Sequence, residues 1–161
     1  KRLVLPDGTK IRKDENGIDT DFIENGGMSE FKLFLGDIIS LSEEYNFGLI
    51  PVMMPSLSST YKSEYQDLYG DTSVVEKEEV YNQEISYFFQ TFGINTLDLT
   101  PTFRENHKQR NLYLENDHHP SRFGYQLAAQ TISCFLLQQG LVTPTETTTG
   151  ICSVRGGYTF R

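Results

Sequence analysis

The chain has 161 residues, 37% of them hydrophobic, and a formal charge of -8. That size and content fit one globular domain with a real core. The acidic balance argues against a nucleic-acid backbone or an anionic membrane surface as partner, because both repel an acidic protein at long range. Apolar runs such as Leu49 to Met54 fall far short of the roughly 20 residues of a membrane span.

Leu3-Val4-Leu5, Pro6-Asp7-Gly8 and Thr9-Lys10-Ile11 predict two short strands around a turn. Residues 13–27 are rich in Asp, Asn and Gly without a period and read as loop. Ser29 offers a cap for a helix whose inward face is marked by Phe31, Phe34, Leu35, Ile38, Leu41 and Tyr45. That pattern stops near Asn46 and Gly48.

Leu49 to Met54 is a continuous apolar run that fits a strand buried on both faces, with Pro51 demanding an edge position or a bulge. A short helix is expected over Tyr61 to Tyr69. A longer one is expected from about Glu76 to Phe92, with Val80, Ile85, Phe88, Phe89 and Phe92 inward, ended by Gly93. Ile94 to Leu99 alternates as a strand does, and Thr100-Pro101 opens a further helix with threonine as its cap. After an extended Asn111 to Leu114, the positions Phe123, Leu127, Ala128, Thr131, Ile132 and Phe135 mark a helix from about Arg122 to Gly140.

Helices and strands thus alternate from Ser29 to Gln139, the pattern of a three-layer α/β fold with a parallel sheet. Only two strands feed that sheet, where about 4 to 6 are usual, so the chain reads as the carboxyl-terminal part of a larger domain. The absence of an initiator methionine or leader before Lys1 places the natural start upstream. Residues 1–142 would be the domain, beginning with the hairpin at 1–12, and the threonine-rich 143–161 a polar tail. Cys134 falls on an apolar helix face, where a free thiol acts as a small hydrophobe; a bridge to Cys152 is possible, but nothing in the sequence requires it. The compartment therefore stays open.

Chemistry concentrates in one place. All three histidines, His107, His118 and His119, lie within or just before a strand-loop-helix stretch running from Leu112 to Ala129. An acid two residues before a histidine can accept its ring N–H and fix the tautomer, leaving the other nitrogen to take a proton from a hydroxyl nucleophile. Asp117 and His119 have that spacing. Other arrangements compete. Ser56, Ser58 or Ser59 could serve as a nucleophile within the chain; His107, Glu115, Asp117 and His119 could hold zinc; and the tyrosines from Tyr61 to Tyr87 could form the surface of a non-catalytic module that binds carbohydrate or protein.

The string Asp117-His118-His119-Pro120-Ser121-Arg122-Phe123-Gly124-Tyr125, followed by Leu127-Ala128-Ala129, resembles the last motif block of the SGNH (GDSL-type) hydrolases and acyltransferases. The order of elements from Leu3 to Gln139 resembles the run-up to that block, and the Pro6-Asp7-Gly8 hairpin resembles an insertion found in some members, which implies that 1–12 is an insertion. The resemblance implies a flavodoxin-like α/β/α fold and serine-dependent ester hydrolysis or acyl transfer without metal or organic cofactor. Carried over, His119 is the general base and Asp117 its orienting acid. A three-residue offset would put Asn116 at the acid position, and an amide cannot balance an imidazolium as a carboxylate does. Pro120 and the five-residue spacing to Gly124 favour His119 over His118. The family's Gly-Asp-Ser block has no counterpart, since Gly36-Asp37-Ile38 lies in a predicted helix, and the oxyanion-hole blocks are missing too. The resemblance therefore implies a serine upstream of Lys1, a fragment inactive alone, and a small-molecule, carbohydrate or lipid ester as substrate.

Overall fold

The computed structural model describes residues 2–4, 10–12, 27–114, 119–143 and 152. Strands β1 (Arg2–Val4) and β2 (Lys10–Arg12) form the expected antiparallel hairpin, with Leu3 opposite Ile11. Its turn lies outside the described residues. Helix α1 (Gly27–Glu44) leads to strand β3 (Val52–Met53), the short helices α2 (Leu57–Thr60) and α3 (Lys62–Tyr69), and the long helix α4 (Ser73–Thr91). Strand β4 (Leu97–Asp98), helix α5 (Thr100–Asn106) and helix α6 (Arg122–Gln138) complete the order.

Strands β3 and β4 pair in parallel, Val52 opposite Leu97 and Met53 opposite Asp98. The ladder is short for a chemical reason. The carbonyls of Pro51 and Met53 accept the N–H groups of Leu97 and Leu99 at 2.9 and 3.0 Å. Pro51 has no N–H to return, so pairing cannot run further back. Proline at the first rung of the ladder resolves the choice between an edge and a bulge.

Side chains on the two faces of this pair enter two separate apolar clusters. Leu49, Met53 and Ile94 pack with Met28, Leu35 and Ile39 of α1 and Ile85 and Phe89 of α4. Ile50, Val52, Leu97 and Leu99 pack with Tyr61, Phe103, Tyr113 and with Leu127, Ala128 and Phe135 of α6. Alternation along a strand requires this split, and it puts helices on both faces of the pair. The fold is α/β, predominantly helical in the described residues.

Several sequence expectations shift. Ser29 lies inside α1 rather than capping it, and Phe34, Leu41 and Tyr45 are exposed while Met28, Leu35 and Ile39 turn inward. The apolar arc of α1 is broader than the face its neighbours cover. Val80 of α4 and Phe92, which caps its carboxyl end, are likewise exposed. Thr100 is the first helical residue of α5, and the Asp98 carboxylate takes the capping part by accepting the Thr100 N–H at 2.8 Å. Gly93 does end α4 as expected, at φ 71°, where a side chain would be strained.

The cysteines are joined: Cys134 of α6 is bonded to Cys152 across 18 residues of sequence. The free-thiol reading of Cys134 is thereby corrected. Its burial on the apolar face holds, but two cysteines in a sequence do not reveal whether their Cα atoms come within bridging distance, here 5.5 Å. Cys152 is thus tied covalently to α6. Reduction should lower the unfolding free energy by about 3 kcal/mol, the loop-closure value for this length. Urea unfolding with and without dithiothreitol, alongside Cys134→Ala/Cys152→Ala, measures it; equal midpoints in all three would count against a structural bridge.

Candidate functional site

The segment leading to the acid and histidines is held from below by two tyrosines. The Leu112 N–H donates to the Tyr61 hydroxyl at 3.2 Å, and the Tyr113 hydroxyl donates to the Pro55 carbonyl at the end of β3. Burial pushes the Tyr113 phenol above its ordinary range, so it stays a neutral donor. Tyr61 is 0% exposed and packs edge-on against the ring of Tyr113. This fixes the extended segment beside the β3–α2 turn.

A second set of contacts folds the chain back on that segment. The Leu114 N–H donates to the His119 carbonyl at 2.9 Å, Tyr113 bridges Pro120 in antiparallel fashion, and the Ser121 N–H donates to the Leu112 carbonyl at 2.8 Å. The Ser121 hydroxyl donates to the Asn111 carbonyl at 2.6 Å and accepts the N–H groups of Phe123 and Gly124, each at 3.2 Å. Ser121 is therefore both the helix cap of α6 and the clasp that closes the loop. Gly124 completes the fit: a Cβ there would stand 2.2 Å from the Leu112 carbonyl oxygen. Glycine at 124 has a steric cause. Arg110 lies over the Phe123 ring at 4.3 Å, a cation–π contact across the same junction.

His119 sits at the loop's exit with its side chain exposed. Asp117, His118, Asn116 and Glu115 lie outside the described residues, so the Asp117–His119 pairing has no geometry to report. The fourth zinc candidate, His107, is elsewhere engaged: its Nδ1 lies 2.6 Å from the Arg104 carbonyl and its Nε2 2.8 Å from Glu64. Both ring nitrogens are thus within hydrogen-bond distance of oxygen atoms of the fold, away from the His119 loop. Among the described residues no cluster of three metal-binding side chains occurs.

The serines after β3 are built into the fold. Glu78, 4% exposed, accepts the Ser56 N–H at 2.8 Å and the Ser56 hydroxyl. Ser58 lies 2.9 Å from Ser56, and both Ser58 and Ser59 are fully buried. The hydroxyl of Ser56 thus faces a carboxylate, not an imidazole. The tyrosine surface is corrected as well: Tyr61 and Tyr65 are core residues, Tyr81 stacks on Phe31, and Tyr87 is largely exposed. Tyr61 and Tyr65 thus serve packing, while Tyr87 faces outward.

A polar network braces the site from α4. Arg104 donates through Nε to the Ser59 carbonyl at 2.7 Å and through Nη2 to Glu79 at 2.8 Å, while Lys62 reaches Glu79 at 3.0 Å. Burial works to raise the Glu79 carboxyl, and the hydrogen bonds and charges of Lys62 and Arg104 outweigh it, leaving Glu79 below its ordinary 4.5. For Glu64, burial again opposes, and the bonds from Ser63 and His107 prevail, so it too is lowered.

The family model described as "SGNH hydrolase-like domain, acetyltransferase AlgX" matches residues 35–151, most of the chain. No curated protein and no solved structure matches.

Two outcomes follow from this geometry. Gly124→Ala should destabilise by about 2 to 4 kcal/mol, because backbone must move to admit the methyl group; a change under about 0.5 kcal/mol in urea unfolding would contradict the close approach. Carboxyls lowered on folding stabilise the protein above their unfolded value and lose that contribution as pH falls through the folded value. Stability should therefore fall on acidification below about pH 4.5, less steeply in Glu79→Gln, as thermal unfolding between pH 6 and 3 would show.

Proposed function

The chain belongs to the family of SGNH hydrolase-like domains, and from that premise we propose that it supplies the acid–histidine half of a serine-dependent ester hydrolase or acyltransferase. The observation that carries the proposal is the clasp of Leu112, Ser121 and Gly124, which supports a fixed exit point for His119 at the entrance to α6. In this reading the nucleophile is a serine outside this stretch. The serines that follow β3 are committed to Glu78 or buried, which supports that assignment.

His119 takes the serine proton as the hydroxyl oxygen bonds to the ester carbonyl carbon, and returns it to the leaving alcohol as the acyl–oxygen bond breaks. A second hydroxyl, from water or from an acceptor alcohol, then gives its proton to His119 as its oxygen bonds to the acyl carbon, and His119 passes that proton to the serine oxygen as the acyl–serine bond breaks. Water makes the protein an esterase and an acceptor makes it a transferase. Asp117 accepts the other ring N–H, fixes the tautomer and balances the imidazolium. The substrate is a small-molecule, carbohydrate or lipid ester, and the reaction needs no metal.

The same proposal extends to the fold. Helices on both faces of β3 and β4, together with the exposed Phe34, Leu41 and Tyr45 of α1, support a three-layer α/β/α domain whose further strands and covering elements lie outside this stretch. Residues 1–142 form its carboxyl-terminal part, and 143–161 an extension tied down through Cys152. The disulfide supports an oxidising compartment.

The 161-residue chain alone should hydrolyse p-nitrophenyl acetate no faster than its His119→Ala variant. Robust turnover that disappears in the variant would overturn the assignment of the nucleophile to another part of the protein.

A further inference from the structure

His107 closes the carboxyl end of α5 with 7% of its surface exposed, and its ring reaches two other parts of the fold. Its Nδ1 lies 2.6 Å from the Arg104 carbonyl oxygen, which can only accept, so Nδ1 carries a proton. Its Nε2 lies 2.8 Å from Glu64 Oε1 of α3. A ring nitrogen and a carboxylate oxygen at that distance need one proton between them, because without it two lone pairs face each other. The ring also stands perpendicular to that of Tyr61, with centroids 5.2 Å apart.

Among the described residues the neighbouring charges are engaged elsewhere or exposed. Ser63 donates to the second Glu64 oxygen at 2.7 Å. Lys62 and the Arg104 guanidinium both turn to Glu79. Asp67 of α3, Glu105 of α5, Lys108 and Arg122 of α6 are exposed, and α2 carries no ionisable side chain. The Tyr113 phenol, against Tyr61, is raised by burial and stays neutral.

Tyr61 connects this pair to the His119 turn. It is the residue between α2 and α3, it is fully buried, and its hydroxyl accepts the Leu112 N–H at 3.2 Å. We propose that the proton between His107 and Glu64 is a pH-operated latch, which ties α3 to α5 and holds Tyr61 against Leu112 while it is present. As pH rises the proton leaves, the imidazole lone pair meets the carboxylate, and the repulsion loosens α3 and with it the Tyr61–Leu112 bond. Burial would raise the Glu64 carboxyl, but the bonds from Ser63 and His107 outweigh it and lower it, so Glu64 is ionised where His107 titrates. The latch uses neither His119 nor Asp117 and stands independently of the acyl-transfer reading.

The test is amide hydrogen exchange of the 161-residue chain, followed by NMR between about pH 6 and about pH 9 together with the His107 ring signals. Exchange is read as protection relative to the intrinsic rate at each pH. Protection of the Leu112 amide should fall roughly 5-fold, the worth of one neutral hydrogen bond, over the interval in which His107 titrates. The Ser56 amide, bonded to Glu78, should keep its protection. Glu64→Gln separates a proton latch from a merely structural contact. The glutamine NH2 can donate to the neutral imidazole nitrogen and its oxygen can accept from the charged one, so Leu112 protection in this variant should stay high and level with pH. Leu112 protection that stays level in the unaltered chain, or that falls as much in Glu64→Gln, would overturn the proposal.

Discussion

The backbone of Leu112 is the contact on which the site depends. Its carbonyl oxygen accepts the Ser121 N–H and at the same time fills the space where residue 124 would carry a Cβ, while its N–H is held by Tyr61. Each of these is modest alone; a cap or a neutral hydrogen bond is worth about 1 kcal/mol. Together they leave the chain one way to turn from the extended segment into α6. The proposed role of His119 depends on this constraint, because a general base misplaced by about 1 Å loses much of its effect.

That contact is anchored in turn to the carboxyl end of β3. Tyr113 reaches the Pro55 carbonyl, and Glu78 holds Ser56, the residue after Pro55. Ligands in open α/β sheets bind outside the carboxyl ends of the strands, and the His119 turn is tied by these bonds to that end. A cleft of about 420 Å³ is lined from the same neighbourhood, by Ser59 after β3 and by Asp98 and Thr100 at the end of β4. Arg104 ties α5 to the β3 end and to α4, bonding to the Ser59 carbonyl and Glu79 through its side chain.

Much of this was legible in the sequence where local chemistry decides. The hairpin, the parallel order of Leu49–Met54 and Ile94–Leu99, the glycine stops and the start of α6 follow from turn residues, periodicity and capping, which act over a few positions. Gly124 stood out in the sequence, but the reason only glycine fits there, a carbonyl 12 residues earlier, did not. What spacing could not supply was direction and distance. Helical periodicity marks Phe34, Leu41 and Tyr45 as one apolar arc of α1 but not which part of it meets a neighbour. The disulfide and the Ser56–Glu78 bond join residues 18 and 22 positions apart, and no local pattern encodes such pairs. Ser121 had a recognisable signal, a serine just before an apolar helical run, and its second bond to Asn111 is visible only in the fold.

The central claim is that His119, and not its neighbour, is the base that this turn presents. It is tested most directly in the polypeptide carrying this chain together with its flanking sequence, by comparing acetyl-ester turnover of His119→Ala, His118→Ala and Asp117→Asn. The account predicts that His119→Ala and Asp117→Asn lose roughly 100-fold or more in kcat while His118→Ala stays within about threefold. Loss of activity in His118→Ala with His119→Ala intact would contradict it.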